Sequence, residues 1–321
     1  MSTPWTEKYR PVYINDIQNQ DEIVSTISGG ISNGNIPHLL LYGPPGTGKT
    51  STALCACREI FNTFENTRRN VIELNASDER GISVVRGKIK SFAQTSSSAN
   101  FPFKIVILDE VDTMTPDAQA ALRRTIETYS TTTRFFLICN YVSKVINPIV
   151  SRCAKFRFKP ISCSSIVEYL QYICKEQDII IKSDRLEKIA SLSNGDMRRA
   201  INSTQMISMV DAEDDYIEDI MGCISKESVV HVWDIIVNVL KYTTSDVMKY
   251  VPEFVGMGYP MKDFTETMLD LVINESLLSQ VVKSHIIRNL SEFDIHINSG
   301  CSYEVQLVNL ILSSRSLVKA Q

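Results

Sequence analysis

Apolar residues come in short unbroken runs through the first half of the chain and at helical spacing through the second. HLLLY (38–42), VIELN (71–75), KIVILDE (104–110) and RFFLICN (134–140) are nearly all apolar, as parallel strands covered on both faces must be. Helical segments lie around and between them: STALCACREIF (51–61), GISVVRGKIKSFA (81–93) and DAQAALRRTIETY (117–129). Strands alternating with helices predict an α/β fold with a parallel sheet. The strand pattern stops near Pro160. In SSIVEYLQYICKEQ, Ile166, Tyr169, Leu170 and Ile173 share one helix face. Ser183 is expected to cap a helix that carries Leu186, Ile189 and Ala190 and stops at Gly195, and Asp196 to cap the next. DAEDDYIED (211–219) reads as a solvated connector, TSSSAN (95–100) as a flexible loop, and amphipathic helices fill 226–321. Three segments are expected: 1–160, 161–225 and 226–321.

Composition narrows the class. Hydrophobic residues make up 44% of the 321 and charged residues 22%, a soluble globular balance. No apolar run approaches the ~18–20 residues that span a bilayer. Glu7, Lys8 and Arg10 stand where a signal peptide would need its apolar stretch. The eight cysteines show no CxxC and no histidine at metal spacing, so buried thiols in a reducing compartment are expected. The net charge of −4 conceals an asymmetry: residues 1–160 hold 19 Lys/Arg against 14 Asp/Glu, and the remainder 14 against 23. Only the first half is suited to face a polyanion.

The chemistry begins at GPPGTGKT (43–50), which fits G-x-x-x-x-G-K-[ST] at every position between a strand and a helix. In such a loop, backbone N–H groups and a helix N-terminus receive phosphate. Gly43, Pro44, Pro45, Gly46, Thr47, Gly48, Lys49, Thr50 and Ser51 are the expected nucleotide-binding residues. Lys49 would neutralise the β- and γ-phosphates, and Thr50 would ligate magnesium. LDEVD (108–112) ends a strand about 60 residues later. Asp109 is the second magnesium ligand, direct or through water, and Glu110 is the candidate general base for the attacking water. Asn140 closes the fourth strand, where its amide can reach water and γ-phosphate. The site is expected to take ATP and Mg2+ and to hydrolyse the nucleotide.

Together with WTEKYRP (5–11), ELNASDERG (73–81), AQAALRRTIE (118–127), SRC (151–153) and GDMRRAIN (195–202), these motifs resemble the small subunits of replication factor C, an AAA+ sliding-clamp loader. The match runs over roughly 1–210, and the C-terminal third is matched more weakly. SNGDMRRAIN, FRFKP and NPIVSRC look most like the subunit numbered 3 in one nomenclature and 5 in another. The resemblance implies an AAA+ P-loop ATPase domain at 1–160, a helical lid at 161–225 and an all-α collar, the oligomerisation domain, at 226–321. It places Tyr9 and Arg10 over the adenine and Arg198 on the γ-phosphate of its own subunit. Arg152 becomes an arginine finger serving the neighbouring subunit's ATP, a role suited to a permanent fork-shaped charge.

The resemblance also implies partners: the other subunits of a hetero-pentameric ring, the sliding clamp PCNA, primer–template DNA and no membrane, in the nucleus. Arg80 and Arg86 match phosphate-contacting positions, and Thr115 is a weaker candidate; contacts of this kind position DNA without reading its sequence. Lys88 and Lys90 are equally a solvated helix face. Ile89 and Phe92 lie in the clamp-facing region but suit core packing as well. Gly87 interrupts a helix at a cost of roughly 1 kcal/mol relative to Ala. Val111 stands where the family often has Ala and is expected to point away from the carboxylates. The rival readings are a helicase-loading or DNA-remodelling AAA+ ATPase, and a nucleotide-binding ring scaffold without turnover.

Overall fold

The computed structural model describes residues 3–34, 36–76, 82–94 (side chains from 87 onward), 103–209, 217 and 221–319. Two compact units divide at Met209 and Val210.

In the first unit, five parallel strands form one sheet in the order β2-β3-β4-β1-β5. They are β1 (Leu39–Tyr42), β2 (Val71–Asn75), β3 (Lys104–Asp109), β4 (Thr133–Cys139) and β5 (Ala154–Arg157). Side chains alternate across the strands. Leu39, Leu41, Ile105, Ile107, Phe136 and Ile138 enter one core; Leu40, Val106, Leu108, Phe135, Leu137 and Cys139 enter the core on the opposite face. Both faces are therefore covered, and the apolar runs have their physical reason.

The crossing helices include α1 (Trp5–Lys8), α2 (Asp21–Ser32), α3 (Lys49–Phe61), α4 (Phe64–Asn70), α5 (Ile82–Gln94), α6 (Pro116–Tyr129) and α7 (Asn147–Val150). Three further helices follow the sheet: α8 (Cys163–Glu176), α9 (Ser183–Leu192) and α10 (Met197–Met209). Ser183 is the first residue of α9, not its cap; Lys182 holds the cap position with no side-chain bond. The helix ends at Leu192, and the chain turns through Asn194 and Gly195 at positive φ. Asp196 does cap α10, its Oδ1 accepting the Arg199 N–H at 3.0 Å. The sequence pattern did not predict the helices α1, α2, α4 and α7 or the edge strand β5, whose Lys155 and Arg157 break the apolar run. Helix α5 runs through Gly87 without interruption. Ile89 is buried in the core, and Phe92 packs against it beneath the Lys104 ammonium. Val111 is likewise buried.

The second unit is helical among its described residues, with helices Lys226–Val237, Thr244–Gly256, Met261–Asn274, Gln280–Asn298 and Tyr303–Lys319. Its core gathers Val232, Phe254, Phe264, Val272, Ile286, Phe293 and Leu307. Arg315 is buried there, donating to the Ile235 carbonyl, which the end of Lys226–Val237 leaves open, and to the Val239 and Tyr242 carbonyls of the segment that follows. Six of the eight cysteines are buried; Cys163 and Cys301 are exposed, and none is in a disulfide. Among the described residues no helix is long and apolar enough to cross a membrane.

Candidate nucleotide site

The strand order brings the motif residues together. β4 lies between β3 and β1, so the segments leaving their C-terminal ends open into one crevice. Gly43–Gly48 follows β1, Asp109 ends β3 with Glu110 just beyond it, and Asn140 follows β4. One cleft in the first unit is lined by Tyr9, Arg10, Pro45 through Ser51, Asp109, Glu110, Asn140 and Arg198. Gly43 and Pro44 are outside the lining; a Cβ on Gly43 would collide with the Phe158 carbonyl. Gly46 has φ of +66° and lies against the Asp196 carboxylate, which a Cβ would have to displace. Gly48, at φ +92°, turns the chain into α3. These are the positions at which the loop needs glycine.

Within the cleft, Lys49 Nζ donates to the carbonyls of Gly43 (2.9 Å) and Pro44 (2.6 Å). Burial holds its pKa below the usual lysine value; the Asp109 carboxylate opposes that shift and Arg198 adds to it. Thr50 Oγ1 donates to Asp109 Oδ2 at 2.7 Å. Two oxygen donors thus stand side by side, and magnesium favours one or two protein oxygens completed by phosphate and water. The pair fits such an ion. Asp109 Oδ1 accepts the Glu110 N–H at 2.8 Å. Glu110 itself sits at φ +56°, a left-handed conformation uncommon outside glycine and costly to hold.

Asp112, for which the sequence pattern predicts no role, has one in the structure. Its Oδ2 accepts the backbone N–H groups of Asn140 (3.2 Å) and Tyr141 (3.0 Å), which fixes the turn carrying the Asn140 amide. The signal was a third carboxylate in LDEVD. The sequence pattern places Tyr169 on an apolar helix face. It lines the cleft, and its hydroxyl donates to the Tyr9 carbonyl at 2.6 Å; a tyrosine on an apolar face needs such a partner. Burial pushes that phenol up to about 12. Gln177 of the same helical segment donates to the Tyr9 hydroxyl, and Arg10 Nε donates to Ser51 Oγ at 3.4 Å. The N-terminal segment is thereby tied to both α8 and the start of α3.

Other predicted residues lie elsewhere. Arg152 is not part of the cleft; it follows α7 and pairs with Glu127 of α6 at 2.6 Å. Thr115 caps α6, its hydroxyl oxygen accepting the Ala118 N–H at 3.3 Å. Arg80 lies outside the described residues, as does the Arg86 side chain, and so do TSSSAN and most of DAEDDYIED. Among the described residues no group of three or more His, Cys, Asp or Glu is arranged to hold a metal by itself.

Comparison with known proteins places this site in a family. Residues 39–161 match the ATPase family associated with various cellular activities (AAA), 168–209 the RCF1/5-like AAA+ ATPase lid domain, and 230–313 the replication factor C C-terminal domain. The chain is 40% identical to replication factor C subunit 4 of Arabidopsis thaliana, covering 98% of this chain and 95% of the relative. It is 42% identical to the replication factor C small subunit of Archaeoglobus fulgidus, covering 94% of each. It is 37% identical to replication factor C subunit 2 of Saccharomyces cerevisiae, covering 98% and 93%. Among solved structures, the Thermotoga maritima RuvB Holliday junction branch migration motor superposes with a TM-score of 0.55 at 18% identity. It covers 71% of this chain and 79% of that one, a likeness of fold alone.

Proposed function

The chain belongs to the replication factor C family and is an AAA ATPase, and from that premise we propose that it works as a small subunit of a clamp loader. Within a five-subunit ring it helps to open the sliding clamp PCNA and place it on primer–template DNA, in the nucleus, during replication and repair. Two of the relatives compared carry the subunit numbers 4 and 2, and the third is an unnumbered small subunit. They speak for the family; the 3/5 type rests on SNGDMRRAIN, FRFKP and NPIVSRC.

The observation that carries the ATPase chemistry is the Thr50–Asp109 pair in a cleft that Lys49, Glu110, Asn140 and Arg198 also line. Lys49 gives charge to the β- and γ-phosphates by exchanging its loop carbonyls for phosphate oxygens. Thr50 and Asp109 would hold magnesium, which would supply positive charge against the phosphates. Glu110 takes the proton of the attacking water, Asn140 orients that water, and Arg198 reaches the γ-phosphate from α10. Tyr9 and Arg10 close over the adenine. Arg152 is the finger for a neighbour's ATP, and Arg80, Arg86 and Thr115 face DNA phosphates. ATP binding selects the state of the ring that grips the clamp; DNA and clamp stimulate hydrolysis, and loss of the γ-phosphate releases the loaded clamp.

Glu110→Gln tests this reading. The amide keeps the shape but takes no proton, so ATP affinity should hold while turnover at this site falls by roughly 10²–10⁴. The measurement is single-site hydrolysis in a ring whose other sites are disabled. Wild-type turnover in that ring would remove Glu110 from the base role.

A further inference from the structure

Arg152 is held by its own chain. Its Nη2 donates to Glu127 Oε1 at 2.6 Å, and its Nη1 to the Pro148 carbonyl at 2.6 Å. The same Glu127 oxygen accepts Arg123 Nε at 3.0 Å. Arg152 and Glu127 side chains are 38% and 37% exposed, and a half-exposed ion pair adds little stability. A fold-stabilising role explains the arrangement poorly, whereas a geometric role explains it well. Glu127 lies near the C-terminal end of α6 and Arg152 just beyond α7, so the carboxylate joins two elements on one face. A guanidinium carries five N–H donors in a rigid plane. Two are spent on the carbonyl and the carboxylate, and three remain for an incoming oxyanion. The hydrogen bond from Arg123, helped by the charges of Arg152 and Arg124, holds the Glu127 carboxyl below its usual range. One carboxylate thus sits among three arginines, and the excess positive charge suits a polyphosphate presented by another molecule.

We propose that Glu127 is a positioning residue for the arginine finger, fixing the Arg152 guanidinium so that its free donors meet the γ-phosphate bound by a neighbouring subunit. This rests on the trans role proposed above for Arg152. A latch that Arg152 must leave in order to act is the opposite arrangement, and it predicts the opposite kinetics.

The experiment uses the full five-subunit loader with only the neighbouring site competent, assayed with clamp and primed DNA. Arg152→Ala, Glu127→Gln and the double variant are compared for kcat at that site, ATP affinity in this subunit's own pocket, and assembly. Glu127→Gln should lower the neighbour's kcat by roughly tenfold to a hundredfold, the scale of a misplaced catalytic group. Own-pocket affinity and assembly should not change, and the double variant should be no slower than Arg152→Ala. An unchanged or raised kcat in Glu127→Gln overturns the proposal, as do costs that add in the double variant. If Arg152→Ala slows the neighbour and Glu127→Gln does not, only the positioning role falls. If Arg152→Ala has no effect on the neighbour, the trans role falls and the positioning role with it.

Discussion

His38, just ahead of β1, couples the ATPase sheet to pH. Its Nδ1 accepts the Phe135 N–H at 3.1 Å, which requires the neutral ring. Burial, assisted by the Arg134 charge, holds its pKa down to about 4 from the ordinary 6.5. Between those values the unfolded chain binds a proton at this residue that the folded chain refuses. Stability therefore falls as pH drops from about 6.5 towards 4, and above pH ~7.5 the group is silent. His38→Asn keeps a polar acceptor but has no proton to bind, so its stability should fall less over that window. Chemical denaturation of both proteins at pH 7.5, 6 and 5 measures the difference, in which the carboxylates common to both cancel. Parallel profiles would rule out His38 as the source. The cleft residues of GPPGTGKT and LDEVD were legible because each motif is local and has the spacing that phosphate and magnesium demand. Asp112 and Tyr169 were not, because their partners, Asn140 and Tyr9, lie 28 and 160 positions away.

At the level of elements, legibility followed burial. β1, β3 and β4 differ from their apolar runs only at the ends, because strands buried on both faces cannot hide their pattern; β2, an edge strand with Glu73 exposed, matches its run on its apolar composition and not on burial. β5 pairs only with β1; an edge strand can carry Lys155 and Arg157, and so it looked like a loop. Helix α5 offers the reverse lesson, since Gly87 lies inside it and the helix continues. Among the described residues, a Cβ built on Gly87 meets nothing within 4 Å, and its φ is not in the left-handed region. Gly87→Ala should therefore stabilise the first unit by roughly 0.5–1 kcal/mol, through the backbone entropy that glycine loses in a helix. Urea unfolding followed by far-ultraviolet circular dichroism reads this as a raised midpoint at unchanged slope. A lowered midpoint would show that the glycine accommodates a packing partner.

For the whole molecule, the separation of Arg152 from the cleft has the largest consequence. Lys49, Thr50, Asp109, Glu110, Asn140 and Arg198 line one pocket, while Arg152 sits elsewhere with Glu127. If the finger acts in trans, the isolated chain should bind ATP and turn it over slowly, and the full ring should be needed for speed. An arginine finger contributes about 10³–10⁵ in rate in well-studied nucleotide hydrolases, or roughly 4–7 kcal/mol at the transition state. A loader whose finger also senses bound nucleotide should use the lower part of that range. Arg152→Ala should leave ATP affinity in its own pocket nearly intact and depress DNA- and clamp-stimulated hydrolysis at the subunit it faces. Arg198→Ala should do the reverse, because Arg198 lines its own chain's cleft and its charge already acts on Lys49. The two variants are distinguished in reconstituted rings with one competent site at a time, assayed with clamp and primed DNA. Should Arg152→Ala slow only its own subunit, the trans assignment fails, and the Glu127 contact becomes a local ion pair. Should both variants slow the same site, the two arginines converge on one nucleotide, and the ring's dependence on its neighbours must come from other residues.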